Sequence, residues 1–295
     1  MGGGSWVEAA RPRTLPAAIV PVLVGSSVAV WNGTFDWRAF LLTLVAAVAI
    51  QIAANFANDA SDAAHGADTT DRVGPPRMVA SGLIASRDMW IATWAMVAIA
   101  AACGGLLTVM AGPVVLLIGL ASVAAMLGYV GGPLPYGYRG LGEVFVFVFF
   151  GLVATIGSQF VHGGAVERQT WLLAIPVGLL ATTILVVNNL RDLDTDARAG
   201  KRTLAVMIGD GRTRWLYRIL MVGALGLIAL LGTFSIISPW TLSALATIPL
   251  AVRLLREVSR AEDRLALVPA LGQTALLHLL VGVGLAIGTV FGPVA

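Results

Sequence analysis

The stretch WLLAIPVGLLATTILVVNNLRDLDTD, residues 171–196, decides the fold class of this chain. Its first part belongs to an apolar run over residues 170–190, and about 17–25 such residues are enough to cross the hydrocarbon core of a bilayer as a helix. The run closes on Asn188 and Asn189, which are followed by Asp192, Asp194 and Asp196. The stretch therefore predicts a membrane-spanning helix that carries an acidic cluster at one end.

Eight further apolar runs of similar length recur along the 295 residues. Together the nine runs cover residues 15–31, 38–57, 88–110, 113–130, 143–161, 170–190, 215–235, 239–255 and 270–291. Hydrophobic residues make up 58% of the chain and charged residues only 12%, with a mean hydropathy of +0.87, which is typical of a protein embedded in lipid. We therefore expect an all-α integral membrane protein with nine transmembrane helices. It forms a single domain over residues 1–295, with a flexible lead-in at residues 1–5.

The cationic residues are sorted to one side of this predicted topology. Of the 19 Lys and Arg residues, all but Arg38 and Arg168 fall on the side of the N-terminus. Cytoplasmic loops carry such an excess of cations, which predicts a cytoplasmic N-terminus. The positive charge thus indicates topology and contact with membrane lipid. Nucleic-acid binding is excluded, because no basic stretch alternates with aromatic residues for stacking.

The acidic cluster has a counterpart earlier in the chain. The second predicted helix closes on NFANDASD, residues 55–62, and the sixth closes on NNLRDLDTD, residues 188–196, and both contain the pattern NxxxD. Helices 2 and 6 are separated by an even number of crossings, so both clusters lie on the cytoplasmic side. This arrangement predicts a parallel pseudo-repeat, and a closed bundle would bring the two clusters together around one central cavity.

The residue types of the two clusters indicate a magnesium site for a phosphorylated anion. On a helix, residues four apart share a face, so Asn58 lies beside Asp62, and Asn188 beside Asp192 and Asp196. Hard carboxylate and amide oxygens without His or Cys suit Mg²⁺, which commonly bridges carboxylates to substrate phosphates, and the single cysteine rules out a paired-thiol metal site. The same loops contain the cations that a bound anion requires: Arg72, Arg77, Arg191, Lys201 and Arg202. Any one of these charged residues, taken alone, could simply belong to a solvated loop. A cluster that occurs twice is better explained by a binding site.

Four stretches of the chain resemble the UbiA-type intramembrane prenyltransferases. They are ARPRTLPAA at residues 10–18, the first cluster continued to Arg77, GGPLPYGYRGLGE at residues 131–143, and the second cluster continued through GKRT at residues 200–203. The likeness extends over nearly the whole chain and is strongest to the branch that prenylates 1,4-dihydroxy-2-naphthoate. In many relatives the third acid of the first motif stands where this chain has Gly66, and the next acid here is Asp68.

The resemblance implies a bundle of nine helices around a central cavity in a bacterial-type cell membrane, with the active site facing the cytoplasm. It implies Mg²⁺-dependent transfer of a polyprenyl group from polyprenyl diphosphate to dihydroxynaphthoate, with two ions, loss of CO₂ and no obligate protein partner. The product would be demethylmenaquinol, an intermediate of menaquinone synthesis. The implied metal ligands are Asn58, Asp62, Asp68, Asp192 and Asp196, and we predict Asp59 as a further ligand beside them.

The remaining expectations concern the substrates. The predicted substrate-binding residues are Arg72, Arg77, Arg191, Lys201, Arg202, Asn188 and Tyr129. The predicted catalytic residues are Asp62, Asp192 and Asp196, with Tyr136 and Tyr138 stabilising an allylic cation and Glu143 assisting with a phenolic proton. Two alternatives stay open: another aromatic acceptor such as 4-hydroxybenzoate, and a membrane transporter that uses the acidic cavity. A transporter would carry its acids near the middle of the bilayer, whereas these acids lie at helix ends.

Overall fold

The structure, a computed structural model, describes residues 3–64, 73–74, 77–131 and 135–292, and these residues form helices joined by turns and loops. The α-helices are α1 (Gly3–Ala10), α2 (Pro16–Trp31), α3 (Trp37–Ala64), α4 (Ser86–Ala111), α5 (Pro113–Val130), α6 (Gly142–Phe160, with a π-helical centre), α7 (Arg168–Arg191), α8 (Leu193–Arg198), α9 (Leu204–Ile208), α10 (Asp210–Thr233), α11 (Ile248–Arg260) and α12 (Leu267–Val290). Short 3₁₀ segments cover Pro12–Thr14, Tyr136–Arg139 and Pro239–Thr247. The predicted all-α class is confirmed.

Six helices within the described residues are long and apolar enough to cross a membrane. They are α3, α4, α6, α7, α10 and α12. A seventh candidate combines Gly4–Thr14 with α2, at a bend of 52°. The chain is therefore a multi-pass membrane protein, and its described residues include six or seven apolar spans. Helical residues occupy all nine predicted runs, but α5 and α11 are shorter, so the count of nine spans stays a prediction.

The bend near the N-terminus follows from the local sequence. Pro12 and Pro16 lack the amide protons that would continue a helix through this segment, and Arg11 adopts a left-handed backbone with φ 50° and ψ 68°. Helix α1 begins at Gly3, inside the predicted lead-in. The bend directs the Arg11 side chain to two cavities described below.

Helix α7 is the most buried of the six spans. In its most apolar stretch 72% of the residues are buried, against 11% in α4 at the periphery. Gly178 of α7 crosses Gly151 of α6 so closely that a Cβ atom on Gly151 would lie 2.5 Å from the Cα atom of Gly178. Small residues permit such contact between membrane helices. The second acidic cluster is thus carried at the end of a central, tightly packed helix.

Candidate active site

Asp62 is the centre of the first cluster. Its side chain is buried near the end of α3, and its Oδ1 atom accepts hydrogen bonds from Lys201 Nζ at 2.7 Å and from the Tyr138 hydroxyl at 2.5 Å. The other oxygen, Oδ2, accepts from Arg77 Nη2 at 3.1 Å. Two cations therefore offset the cost of burying this carboxylate.

The second cluster lies where α7 ends. The helix ends at Arg191, and Asp192 takes the bridge conformation with φ −90° and ψ 5° before α8 begins. The Arg191 guanidinium binds both carboxylate oxygens of Asp192, at 2.7 and 2.6 Å, and also donates to the Asn188 side-chain oxygen at 3.0 Å. Such bidentate pairing fixes the direction of the Asp192 carboxylate.

Lys201 joins the two clusters. Its ammonium group lies 2.7 Å from Asp62 and 3.8 Å from Asp196, and 4.8 Å from the centre of the Tyr138 ring. Gly200, with φ 72°, makes the turn that returns the chain, and the Lys201 amide donates to the Asp196 carbonyl at 2.9 Å. The end of the bundle that carries Asp62 and Asp192, called the cluster end below, therefore holds carboxylates of both clusters around one cation.

This donor set fits Mg²⁺. Asp62 and Asp196 share a cation, and the amides of Asn58 and Asn188 line the adjoining cavity. All four supply the hard oxygen ligands that Mg²⁺ prefers. Among the described residues, no three Asp, Glu, His or Cys side chains are close enough to hold an ion by themselves. A magnesium ion here would need ligands from water and from a bound phosphate, as is usual for this ion.

Asp59 makes a different set of contacts. Its two carboxylate oxygens accept hydrogen bonds from the backbone amides of Met78 and Val79, at 3.1 and 3.0 Å. These contacts hold the segment that follows Arg77 against α3. The geometry gives Asp59 an anchoring role in the structure, whereas the sequence interpretation made it a metal ligand.

An apolar cavity of about 330 Å³ opens directly below the clusters. One face of α3 lines it along its length: Thr43, Ala46, Ala47, Ile50, Gln51, Ala54, Asn55 and Asn58. Residues of α5, α6 and α7, including Phe145 and Phe149, also line it. The cavity therefore extends from the amides of Asn58 and Asn188 at the cluster end to the apolar interior of the bundle.

The three predicted tyrosines divide between the cavity and the cluster. Tyr129 and Tyr136 line the cavity, and the Tyr136 ring stacks on Phe145 with ring centres 3.8 Å apart. The Tyr136 hydroxyl donates to the Ala125 carbonyl at 2.7 Å, and burial raises the pKa of this phenol, so it stays neutral. Tyr138 instead contacts Asp62.

Glu143 lies outside both cavities. It is buried at the start of α6, and its Oε1 atom accepts a hydrogen bond from Asn189 Nδ2 at 2.9 Å. Asn189 belongs to the segment of residues 188–196 that carries the second acidic cluster. The contact therefore ties α6 to the end of α7.

Three predicted site residues, Arg202, Asp68 and Arg72, are not among the contacts described above. The side chain of Arg202 is exposed, and its backbone amide donates to the Tyr138 carbonyl at 3.1 Å. Asp68 and Arg72 lie outside the described residues.

A second, polar cavity of about 210 Å³ adjoins the apolar one and shares Arg11, Thr14, Asn188 and Leu271 with it. Four arginines are among its lining residues: Arg11, Arg13, Arg77 and Arg191. The sequence interpretation gave no role to Arg11 or Arg13. Their place in the stretch ARPRTLPAA could have indicated a functional role. However, the positive-inside rule alone also explains a cation at the start of an apolar run.

The family of this chain follows from its similarity to known proteins. The model of the UbiA prenyltransferase family matches residues 18–280. A 1,4-dihydroxy-2-naphthoate octaprenyltransferase from Mycobacterium tuberculosis is 42% identical over 289 residues, which cover 97% of each chain. The chain belongs to the UbiA prenyltransferase family.

Solved structures of UbiA homologues share the fold. An apo UbiA homologue from Aeropyrum pernix superposes with a TM-score of 0.71 over 92% of this chain and 97% of that one, at 16% identity. A homologue from Archaeoglobus fulgidus, bound to GPP and Mg²⁺, gives a TM-score of 0.63 over 96% of this chain and 99% of that one, also at 16% identity. The helical arrangement described above is thus the UbiA fold.

Proposed function

We propose that this UbiA-family protein transfers a polyprenyl group from polyprenyl diphosphate to 1,4-dihydroxy-2-naphthoate, a step of menaquinone synthesis. The observation that carries the proposal is the junction of the two acidic clusters with the apolar cavity. A diphosphate bound at this junction would lie next to Lys201 and the carboxylates, and its hydrocarbon tail would lie among apolar side chains. The 42% identical relative bears the name of an enzyme with this acceptor, which supports the choice of acceptor.

We propose Mg²⁺ as the cofactor, held as two ions by Asn58, Asp62, Asp192 and Asp196, with Asp68 as a further predicted ligand. When bound, the ions supply Lewis-acid stabilisation of the charge that develops on the departing diphosphate. Asp59 belongs to the predicted set, but its contacts with Met78 and Val79 favour the anchoring role.

The cationic side chains of the cluster end hold the diphosphate. Lys201 and Arg77 already contact Asp62, so an anion bound beside this carboxylate lies within their reach. Arg191 fixes the direction of Asp192, and Arg72 and Arg202 are predicted contacts from the adjoining loops. Cations aligned before the reaction stabilise negative charge on the leaving oxygen without reorganisation.

The reaction requires no external oxidant or base. The bond between the allylic carbon and the diphosphate oxygen breaks, and the diphosphate leaves with the electron pair. The ring carbon that carries the carboxylate then forms a bond to the allylic carbon, and CO₂ leaves with its bonding electrons returned to the ring. The apolar walls exclude water from the cation, while the neutral rings of Tyr129 and Tyr136 face it from the cavity wall.

We propose further that all nine runs cross the membrane, that the N-terminus and the cluster end face the cytoplasm, and that helices α3 and α7 are related by duplication. The sorting of the cations supports the nine spans and the topology, since only Arg38 and Arg168 fall on the far side, and the shared NxxxD pattern supports the duplication. In a Cys103→Ser background, a membrane-impermeant maleimide applied to intact cells should label an Ala165→Cys variant and leave a Glu262→Cys variant unlabelled. The opposite pattern would reverse the topology.

The activity is tested with purified protein in detergent, polyprenyl diphosphate, Mg²⁺ and an EDTA control. Dihydroxynaphthoate and 4-hydroxybenzoate are supplied in parallel, and prenylated products are identified by mass. We expect a decarboxylated, prenylated naphthalenediol that is lost with EDTA. Prenylation of 4-hydroxybenzoate alone would reassign the acceptor, and no product with either acceptor would refute the proposed function.

A further inference from the structure

A network of four charged side chains lies on the outer side of the second cluster. Arg264, in the loop between α11 and α12, donates to both carboxylate oxygens of Asp194, from Nε at 2.8 Å and from Nη2 at 3.5 Å. Its Nη1 atom donates to Asp210, at the start of α10, at 2.5 Å. Arg214 donates to the other oxygen of Asp210 at 2.5 Å. These four residues do not line either cavity, so they are available for a role outside the site itself.

Arg214 anchors this network to the end of α11. Its guanidinium donates to the Val258 carbonyl and, at 3.0 Å, to the Ala261 carbonyl. The last carbonyls of a helix have no partner within the helix, and basic side chains commonly bind them. Only 17% of the Arg214 side chain and 19% of the Arg264 side chain are exposed, which separates this network from an isolated surface ion pair of little energetic value. The network therefore ties α8 to the start of α10 and the end of α11.

Asp194 and the acids of the site lie on opposite faces of α8. A helix turns by about 100° per residue, so Asp194 lies about 200° around the axis from Asp192 and from Asp196. The contacts agree with this, since Asp196 lies 3.8 Å from Lys201, whereas Asp194 contacts Arg264. Helix α8 has only six residues, and a helix this short is not stable by itself. The position of α8 therefore depends on the contacts at its two faces.

We propose that Arg264 is a positioning residue: through Asp194 it holds α8 so that Asp192 and Asp196 face the site before Mg²⁺ and the diphosphate bind. The nature of these two ligands rests on the proposed function. On the inner face, Lys201 is itself a proposed diphosphate contact, so its interaction with Asp196 depends on what the site holds. The contact of Arg264 lies outside the site and is independent of the ligands. It therefore preorganises the second cluster.

The test compares Arg264→Met with Arg253→Met, which removes an exposed ion pair with Glu257 outside the network. Immobilised protein in detergent is titrated with Mg²⁺ in the presence of a radiolabelled prenyl thiolodiphosphate, and the retained label reports binding without acceptor or turnover. In Arg264→Met we expect the Mg²⁺ concentration at half-maximal retention to rise about tenfold, because groups that orient metal ligands commonly contribute this much to metal affinity. Arg253→Met should keep the wild-type value. An unchanged Mg²⁺ requirement with a lower melting temperature would show that Arg264 only stabilises the fold, and would overturn the proposal.

The direction of the shift separates positioning from simple electrostatics. Loss of a positive charge would by itself strengthen the binding of a nearby divalent cation, so a lower Mg²⁺ requirement in Arg264→Met would contradict the proposal. The double variant with Asp194→Asn should bind no more weakly than Arg264→Met alone, because both changes remove the same contact. Additive losses would show that the two residues act independently.

Hydrogen exchange of the metal-free protein gives a second readout that requires no ligand. The amides of Leu193–Arg198 should exchange faster in Arg264→Met than in wild type or Arg253→Met, because α8 has lost its outer contact. Equal exchange in all three proteins would refute the positioning role.

Failure of this inference is distinguishable from failure of the proposed function. A wild-type protein that retains no thiolodiphosphate at any Mg²⁺ concentration would refute both. Normal retention by wild type, with the same Mg²⁺ requirement in Arg264→Met, would refute the positioning role alone. If Arg264→Met does not fold, Asp194→Asn removes the same contact with α8 and leaves Arg264 paired with Asp210, and the same rise in the Mg²⁺ requirement is expected.

Discussion

Lys201 joins two parts of the chain that the sequence places far apart. Its ammonium group contacts Asp62, 139 residues away, and lies near Asp196. The sequence could predict Lys201 as a diphosphate contact, because it follows the second cluster. Its acidic partner could not be predicted, since that pairing depends on how the helices pack.

Replacing Lys201 by Met should weaken binding of polyprenyl diphosphate. A charged hydrogen bond contributes about 1.5–3 kcal/mol, so we expect the KM for the diphosphate to rise about tenfold to hundredfold. Lys201→Arg, which keeps the charge, should fall between this variant and wild type. Steady-state kinetics with varied diphosphate measure the effect, and a Lys201→Met variant with a wild-type KM would contradict this role.

Asp59 and Glu143 show the limits of a prediction made from residue type. The i, i+4 spacing predicts that Asn58 and Asp62 share a helix face, but the amides that engage Asp59 belong to a loop about twenty residues later, and no pattern marks them. Glu143 was predicted to assist with a proton, yet it lies away from both cavities and binds Asn189.

Glu143→Gln and Glu143→Ala distinguish a positioning role from a proton-transfer role. Gln can still accept the hydrogen bond from Asn189, so we expect a rate within about threefold of wild type. Ala leaves the buried Asn189 amide without this acceptor, which costs about 1–3 kcal/mol, and should lower both the rate and the melting temperature. Equal loss of activity in both variants, with unchanged melting temperatures, would instead indicate that Glu143 transfers a proton.

At the scale of elements, the contact between α6 and α7 positions the second cluster. The centre of α6 is π-helical over Phe147–Val153, and Gly151 in this segment touches Gly178. The apolar runs predicted both helices, because length and hydropathy are properties of a single segment. The π segment and the crossing point were not predicted, since they depend on packing between two segments.

Gly151→Ala should destabilise the protein, because the new methyl group would meet the backbone of α7, which cannot move aside as a side chain does. Overpacking of this kind costs about 1–3 kcal/mol, so the melting temperature in detergent should fall. Gly105→Ala is the matched control, since a methyl group there meets no atom within 4 Å. Equal melting temperatures in the two variants would show that the α6 and α7 crossing tolerates a wider separation.

For the molecule as a whole, the sequence predicts most of what lies along the chain and little of what lies between its segments. The all-α class, the helical runs and the polar helix ends follow from local composition. The clustering of Asp62 and Asp196 around one lysine agrees with the expected meeting of the two motifs. The division into an apolar and a polar cavity, and the place of Arg11 between them, require the packed bundle.

The central claim is that the two acidic clusters form one site for prenyl transfer. It is tested most directly by the rate of product formation from dihydroxynaphthoate and polyprenyl diphosphate at saturating Mg²⁺. Asp62→Asn and Asp192→Asn should each lower this rate at least about a hundredfold while the protein still folds and purifies. Each variant removes a carboxylate that would hold a magnesium ion, and the ion in turn would stabilise the departing diphosphate. Asp36→Asn, at the far end of α3, should keep the wild-type rate. Wild-type rates in both cluster variants would contradict the account.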